Sequence, residues 1–316
     1  MEAVYIMEKE LIETFLTLAK VNNISKTAKL LYVSQATVSY RLKLLEKKLN
    51  TSLLQRSKGT RQTMLTTNGR RFLPLAQSWL DADNAVMNFN QRTESLELKV
   101  GSTNSINNYL LRAFFIALGS DEKKWKITIR TTHTATIYDE LHLNEVDLGL
   151  CLEEKMGIGI NTRLLYSEPL VILSAAPLYK KKLLTPAELN MEKMIYINCG
   201  YSFRKWYRHY VPVGVSPTYK VDSYQVAWSL MEHDYWFFAP ICFLKEQLAK
   251  GEHCAVAALG GTTPTYDVYM ATEYGNEKLR RYELTLFKRR LTQYLHAKKH
   301  DVDATLAKLF PQKHNW

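Results

Sequence analysis

Apolar residues at the start of the chain recur with the period of a helix. Leu11, Phe15, Leu18 and Ala19 fall at i, i+4, i+7 and i+8, which predicts a first helix from Lys9 to Asn22. After the turn Asn22-Asn23-Ile24, Ser25 or Asn23 can cap a second helix, Lys26 to Tyr32, that carries Ala28, Leu30 and Leu31. Ala28 is small enough to let two helices approach closely. Ser34 is a good N-cap for a third helix, Gln35 to about Leu49, whose apolar stripe is Val38, Leu42, Leu45 and Leu49. Leu53 to Arg56 and Gln62 to Thr66 read as two short strands around the basic turn Ser57-Lys58-Gly59-Thr60-Arg61, the shape of a wing. From Thr67 to about Arg92 one long helix is predicted. Phe72, Leu75, Ala76, Trp79, Ala82, Val86 and Phe89 fall at spacings of three and four, and Pro74 lies in the early turns where it is best tolerated.

Near Glu94 the pattern changes to alternating strands and helices. Candidate strands are 96–101, 126–131, 147–150, 170–175, 194–198, 219–222, 235–239, 254–258 and 266–272. Helices read between them at about 105–118, 134–143, 201–210, 223–232, 240–249 and 277–297. This alternation predicts α/β layers with a mostly parallel sheet. In such sheets ligands sit off the carboxyl ends of strands, near helix N-termini.

The 316 residues suggest two domains, and 46% hydrophobic with 23% charged residues is ordinary for a soluble protein. Met1 to Glu13 carries no basic-then-apolar leader, and no apolar run approaches the roughly 20 residues of a membrane span. A cytoplasmic protein with no membrane partner is expected. Cys151, Cys199, Cys242 and Cys254 form no CxxC or zinc-like cluster, so free thiols are expected. Charge changes the picture most. Residues 20–71 hold twelve Lys or Arg and one acid, Glu46, which equals the whole chain's net charge of +11; elsewhere 30 basic residues meet 30 acidic ones. A local basic surface of this kind is the footprint of a phosphate backbone.

That segment also carries the side chains of a reading helix. Gln35, Thr37, Ser39, Tyr40, Arg41 and Lys43 lie off the apolar stripe of the third helix; Ser25, Ser34 and Ala36 stand at helix starts. Gln pairs with adenine edges, Arg with guanine or phosphate, and Ser or Thr with either. Residues at the helix start enter the groove deepest. Arg56, Lys58 and Arg61 would meet phosphates beside the helix and position the domain more than they read sequence. The bland alternative is an amphipathic helix with a solvated polar face. The helix-turn-helix spacing and the near absence of acids weigh against it.

The segment resembles the LysR-type transcriptional regulators. The matching text is Leu11, Phe15, Ala19, Ile24-Ser25-Lys26-Thr27-Ala28-Lys29-Leu30-Leu31 and Val33-Ser34-Gln35-Ala36-Thr37-Val38-Ser39. It continues with Leu44-Leu45-Glu46, Leu49, Leu53-Leu54-Gln55-Arg56 and Leu65-Thr66-Thr67-Asn68-Gly69. Asn50 stands where the family prefers Gly, Leu54 where it prefers Phe, and Thr27 in place of the first of two Ala residues. Asn tolerates the left-handed backbone that Gly favours. The resemblance implies an N-terminal winged helix-turn-helix (1–66) and a linker helix (67–93) that dimerises through Phe72, Leu75, Trp79, Val86 and Phe89. It also implies a two-lobed α/β effector-binding domain (94–300) with the fold of periplasmic binding proteins, here followed by a C-terminal helix and tail (301–316). Lys99-Val100-Gly101-Ser102 and Val146-Asp147-Leu148-Gly149-Leu150 match the opening of that domain, and crossovers near 160–170 and 260–270 would hinge its lobes. The implied partners are double-stranded DNA with an interrupted palindrome, a small-molecule effector, a second or fourth copy of the chain, and RNA polymerase.

The strand-end rule then places the effector pocket. Ser102, Thr103 and Asn104 follow the first strand; Thr132, His133 and Thr134 follow the second. Their hydroxyls and the backbone N–H groups of a helix start suit an anionic or carboxylate group. Asn198, Cys199, Gly200, Tyr201, Ser202, Asp222 and Ser223 would form the other wall. Singly, each is as good a helix cap as a ligand contact; their convergence makes the site. Arg204 and Arg130 can complement an acid, with surface solvation the safer reading of both. No GxGxxG, P-loop or GxSxG motif is present, so neither catalysis nor a cofactor is expected. His296 and His300 lie four apart, yet Lys298 and Lys299 between them favour a solvated basic face over a metal. Two other readings stand beside the effector-responsive regulator: an architectural DNA binder needing no ligand, and a solute-binding or enzymatic α/β protein with a DNA tether.

Overall fold

Three short helices gather around one apolar cluster in the N-terminal unit. They are α1 (Lys9–Val21), α2 (Ile24–Leu30) and α3 (Gln35–Lys48). Phe15, Leu18, Val38 and Leu45 are its fully buried centre, with Ala28 at the α2 contact. α2 starts two residues earlier than the pattern predicts. Asn23, not Ser25, is its cap and accepts from the Lys26 N–H at 2.9 Å, which leaves Ser25 exposed in the first turn. The Thr27 hydroxyl is buried but donates to the Asn23 carbonyl at 2.9 Å. Asn50 has φ 47°, the left-handed backbone its Asn permits. The wing strands β1 (Leu54–Arg56) and β2 (Thr63–Leu65) pair antiparallel.

The structure is a computed structural model and describes residues 7–56, 63–87, 95–122, 124–155, 159–178 and 180–313. Lys58, Arg61 and Phe89 lie outside the described residues. The chain forms two compact units, one mainly Met1–Glu94, the other Ser95–Leu141 with Val146–Trp316.

The long helix α4 (Thr67–Met87) runs through Pro74, so the Arg70 carbonyl lacks its usual intrahelical donor. Its start is fixed by backbone contact. A Cβ on Gly69 would stand 2.1 Å from the Leu53 carbonyl oxygen, and the Gly69 N–H donates to the Thr66 hydroxyl at 2.9 Å. Phe72 packs on Phe15 with ring centroids 5.3 Å apart, and Ala76 and Trp79 join the same cluster. Phe72 and Trp79 are therefore at least partly spent on their own domain. Leu75 (65% exposed) and Val86 (73%) have no such cover.

In the second unit, β3 (Leu96–Ser102) leads through a π turn at Ile106–Leu110 into α5 (Arg112–Gly119), where the pattern predicts one uninterrupted helix. β4 (Trp125–Thr131), α6 (Thr134–His142) and β5 (Leu148–Cys151) complete the first half. β6 (Ile160–Ser174) is 15 residues long, more than twice the strand predicted from its apolar end. Then follow β7 (Leu183–Leu184), β8 (Ile195–Ile197), α7 (Tyr201–Tyr210), β9 (Tyr219–Val221), α8 (Tyr224–Ser229), β10 (Trp236–Pro240), α9 (Ile241–Ala249), β11 (Ala255–Leu259) and β12 (Thr265–Glu273). The chain continues with α10 (Tyr274–Leu279) and α11 (Arg281–Leu309).

The main sheet runs β4-β3-β5-β12-β6-β11-β7, with β10 also on β6, and β8 pairs with β9. It is mixed, not mostly parallel as expected. β4-β3-β5, β8-β9 and β11-β7 are parallel, whereas every pairing of β6 and β12 is antiparallel. Residues Ile160–Pro169 of β6 pair with β12, and Leu170–Ser174 pair with β10 and β11. One strand thus joins the two halves. α11 does not break near residue 300. Val302 and Leu306 extend the buried stripe of Leu284, Phe287, Leu291 and Leu295, so the predicted separate C-terminal helix is the last part of this one.

Where β6 changes partners, Glu168 is fully buried. It accepts from the Tyr166 hydroxyl at 2.8 Å and the Cys242 N–H at 3.2 Å. Burial raises its carboxyl above the ordinary 4.5, against those hydrogen bonds.

Two outcomes follow for stability. Gly69→Ala should cost about 1–3 kcal/mol through overpacking against backbone, while Gly119→Ala, with nothing within 4 Å, stays near the parent in denaturant titrations. A carboxyl whose folded pKa is raised contributes fully below its ordinary value and loses that contribution as pH climbs through the folded one. Glu168→Gln should therefore melt above the parent at pH 8, and the gap should narrow towards pH 5 in paired thermal scans.

Candidate functional site

α3 presents one face to its own core and the other to solvent. Gln35, Ala36, Tyr40 (66% exposed) and Lys43 are exposed together, and Ser39 is half-buried beside them. Ser34 serves as the cap: its hydroxyl accepts from the Thr37 N–H at 3.0 Å and lies 2.8 Å from the Thr37 hydroxyl. Both groups are thus partly occupied in holding the helix start. Arg41 is half-exposed. It sits on the flank and donates to the Thr14 hydroxyl on α1 at 3.4 Å, because position 41 falls between the exposed row and the buried stripe. Arg56 ends β1.

The single acid of the basic segment is structural. Glu46 Oε1 accepts from the Leu53 and Leu54 N–H groups at 2.8 and 3.0 Å, which ties α3 to the wing. It satisfies backbone donors, whereas Lys48 and Lys20 of the same segment pair with Glu8 at 2.8 Å and Glu145 at 3.0 Å.

In the second unit a cleft of about 1130 Å³ opens at the carboxyl ends of β3, β4, β5, β8 and β9. Thr103, Asn104, Thr132, His133 and Thr134 line one side; Asn198, Asp222 and Ser223 line the other. The remaining expected contacts do not reach it. The Ser102 hydroxyl is fully buried, with no hydrogen-bond partner among the described residues. Cys199 is buried, donating to the Ile197 carbonyl and accepting from the Tyr224 hydroxyl at 3.1 Å. Ser202 accepts from the Thr265 N–H at 2.9 Å, and Tyr201 is exposed outside the cleft. Gly200 works by backbone. With φ 104°, its missing Cβ would lie 2.6 Å from the Leu152 carbonyl oxygen, so only glycine lets the start of α7 approach the end of β5 this closely.

That approach brings together residues that the sequence pattern did not assign to the pocket. Glu153, Glu154 and Lys155 follow β5, and Arg204 rises from α7. Arg204 makes a two-pronged bond to the Glu153 carboxylate, Nη2 to Oε2 at 2.7 Å, and is not merely solvated. Burial lowers its pKa. Lys220 and Tyr196 complete the wall. The strand-end rule applied to β5 would have found Glu153–Lys155; a partner 51 residues away leaves no such signal. Arg130 stays outside, paired with Glu140 at 3.0 Å.

Burial pushes the thiols of Cys151 and Cys199 up to about 12 and that of Cys254 to about 11, and raises Cys242 as well. Each holds its proton near neutral pH, which opposes thiolate chemistry. The His296 and His300 rings touch at 4.7 Å, and no group of three or more metal-binding side chains occurs among the described residues.

Both units have counterparts among known proteins. The model of the LysR substrate binding domain matches residues 91–285, and that of the bacterial regulatory helix-turn-helix protein, lysR family, matches residues 10–70. The HTH-type transcriptional regulator CitR of Bacillus subtilis (strain 168) is 29% identical over 171 residues, 53% of this chain and 58% of that one. HdfR of Yersinia pestis (strain Pestoides F) is 28% identical over 151 residues, 46% and 50% of the two chains. The matches thus span about half the length of these curated relatives. Among solved structures, full-length OxyR C199D from Pseudomonas aeruginosa superposes with a TM-score of 0.67 at 20% identity, covering 92% of this chain and 95% of that one. ArgP from Mycobacterium tuberculosis gives 0.63 at 15%, covering 92% and 97%. At such identities the likeness is one of fold.

Glu46→Ala should cost about 1–3 kcal/mol by stranding two backbone donors. Amide hydrogen exchange at Leu53 and Leu54 would speed up, while exchange in β3 and β6 would not change.

Proposed function

Because the chain belongs to the LysR family, we propose that it is a DNA-binding transcription regulator whose oligomer geometry and operator binding respond to a small molecule in the cleft. The observation that carries this reading is one chain's combination of an exposed, acid-free α3 face with an open polar cleft in a separate unit. α3 enters the major groove, with Gln35 and Lys43 towards bases and phosphates. Arg56 at the end of β1 holds phosphate beside it. Leu75 and Val86 on α4 are covered by a second copy of the chain, which makes the operator an interrupted palindrome. The cleft takes its ligand between Thr103, Asn104 and Thr132 on one side and Asn198 and Ser223 on the other. Hydroxyls and the α6 N-terminus there suit a carboxylate. Binding changes DNA affinity only insofar as the ligand prefers one subunit arrangement over another.

Genome-wide mapping of the bound chain tests this. A few sharp sites are expected; diffuse occupancy would favour the architectural reading, and none would favour the tethered binder or enzyme. On a mapped site, Gln35→Ala should cost about 1–3 kcal/mol and relax base preference. Lys43→Ala should weaken all DNA alike and lower the salt slope by about one. Both are read by fluorescence anisotropy across a salt series.

A further inference from the structure

The cleft's charges are balanced. Glu153, Glu154 and Asp222 line it together with Lys155, Arg204 and Lys220, so the wall carries both signs and no net formal charge. Its central feature is the Glu153–Arg204 pair, joined from the end of β5 to α7 with both carboxylate oxygens and two guanidinium nitrogens engaged. Only 28% of the Arg204 side chain and 24% of the Glu153 side chain meet solvent.

A partly dehydrated ion pair resists losing one member, because the other is left without its counter-charge. A simple anion that takes Arg204 strands Glu153 beside Glu154. A simple cation that takes Glu153 strands Arg204 near Arg208, whose charge already acts on it. A ligand that carries both charges avoids both penalties, since its carboxylate replaces Glu153 on Arg204 and its ammonium replaces Arg204 on Glu153.

We infer that the cleft ligand is a zwitterion of the amino-acid class, bound by exchange into the Glu153–Arg204 pair. This rests on the cleft being the effector site and narrows the carboxylate ligand of that reading. The exchange turns a direct bond between the two halves into a ligand-bridged one. Occupancy is thereby coupled to the spacing of the halves. Thr132 and Asn198 remain for the ligand's other polar atoms, and the volume leaves room for a side chain.

The test uses the full chain and calorimetric titration with the twenty protein amino acids, each accompanied by its decarboxylated amine and its amino-free acid. At least one amino acid should bind, with its amine and its acid each weaker by on the order of a hundredfold, the loss of one charge-assisted bond with its counter-charge stranded. Glu153→Gln should erase the preference for the amino acid over its amino-free acid, and Arg204→Gln the preference over its amine. Circular dichroism melts check that both variants fold. If a singly charged compound binds the parent most tightly and Thr132→Val weakens it, the zwitterion inference falls and the cleft reading stands. The zwitterion inference also falls, with the cleft reading intact, if an amino acid binds unaffected by Glu153→Gln and Arg204→Gln but is weakened by Thr132→Val. If nothing binds, or binding ignores all three substitutions, both fall.

Discussion

The backbone hydrogen bonding of one strand organises the second unit. β6 gives its first ten residues to β12 and its last five to β10 and β11. Because backbone donors and acceptors in a buried strand must be paired, the change of partner has to happen within a residue or two, and Glu168 sits at that point. Everything that forms the cleft hangs from this strand. β3, β4 and β5 reach it through β12, and β8 and β9 approach it through the Met194–Trp236 bridge to β10. The long antiparallel pair therefore sets the separation of two groups of strand ends, and loops supply only the side chains.

Two carboxylates show how the surroundings decide what a charge does. Glu46 meets backbone N–H groups, so its charge is absorbed into the fold. Glu153 meets a guanidinium at the wall of an open cleft, where about a quarter of each side chain faces solvent. Residue type alone does not separate these roles; the identity and accessibility of the partner do.

Local signals were readable where a single element carries them. The helix-turn-helix spacing, the Ser34 cap, the wing strands and α7 follow from period, caps and turn residues, and eight cleft residues follow from the strand-end rule. What was missed depends on contacts distant in sequence. The first half of β6 alternates weakly, since its register is set by β12 and not by its own pattern. The π turn at Ile106–Leu110 is hidden inside a run that reads as plain helix. Phe72 and Trp79 lie on the stripe expected to face a second subunit, and both also pack, partly buried, on the winged unit's own core. Arg204 and Glu153 gave no hint of each other, because Gly200 brings them together through backbone that no side-chain pattern records.

The confinement of excess charge has a kinetic consequence. Outside residues 20–71 the chain is formally neutral, 30 basic against 30 acidic residues. By unit, residues 1–94 carry a net +6 (14 basic against 8 acidic) and residues 95–316 a net +5 (28 against 23), so what sets residues 20–71 apart is charge density, +11 within 52 residues. Non-specific attraction to a duplex is a counterion-release effect that scales with the phosphates neutralised, so on the proposed reading substitutions within that dense segment change the dwell time on random DNA more than substitutions spread over residues 95–316. Search speed and ligand choice would then be tuned largely by separate parts of one polypeptide.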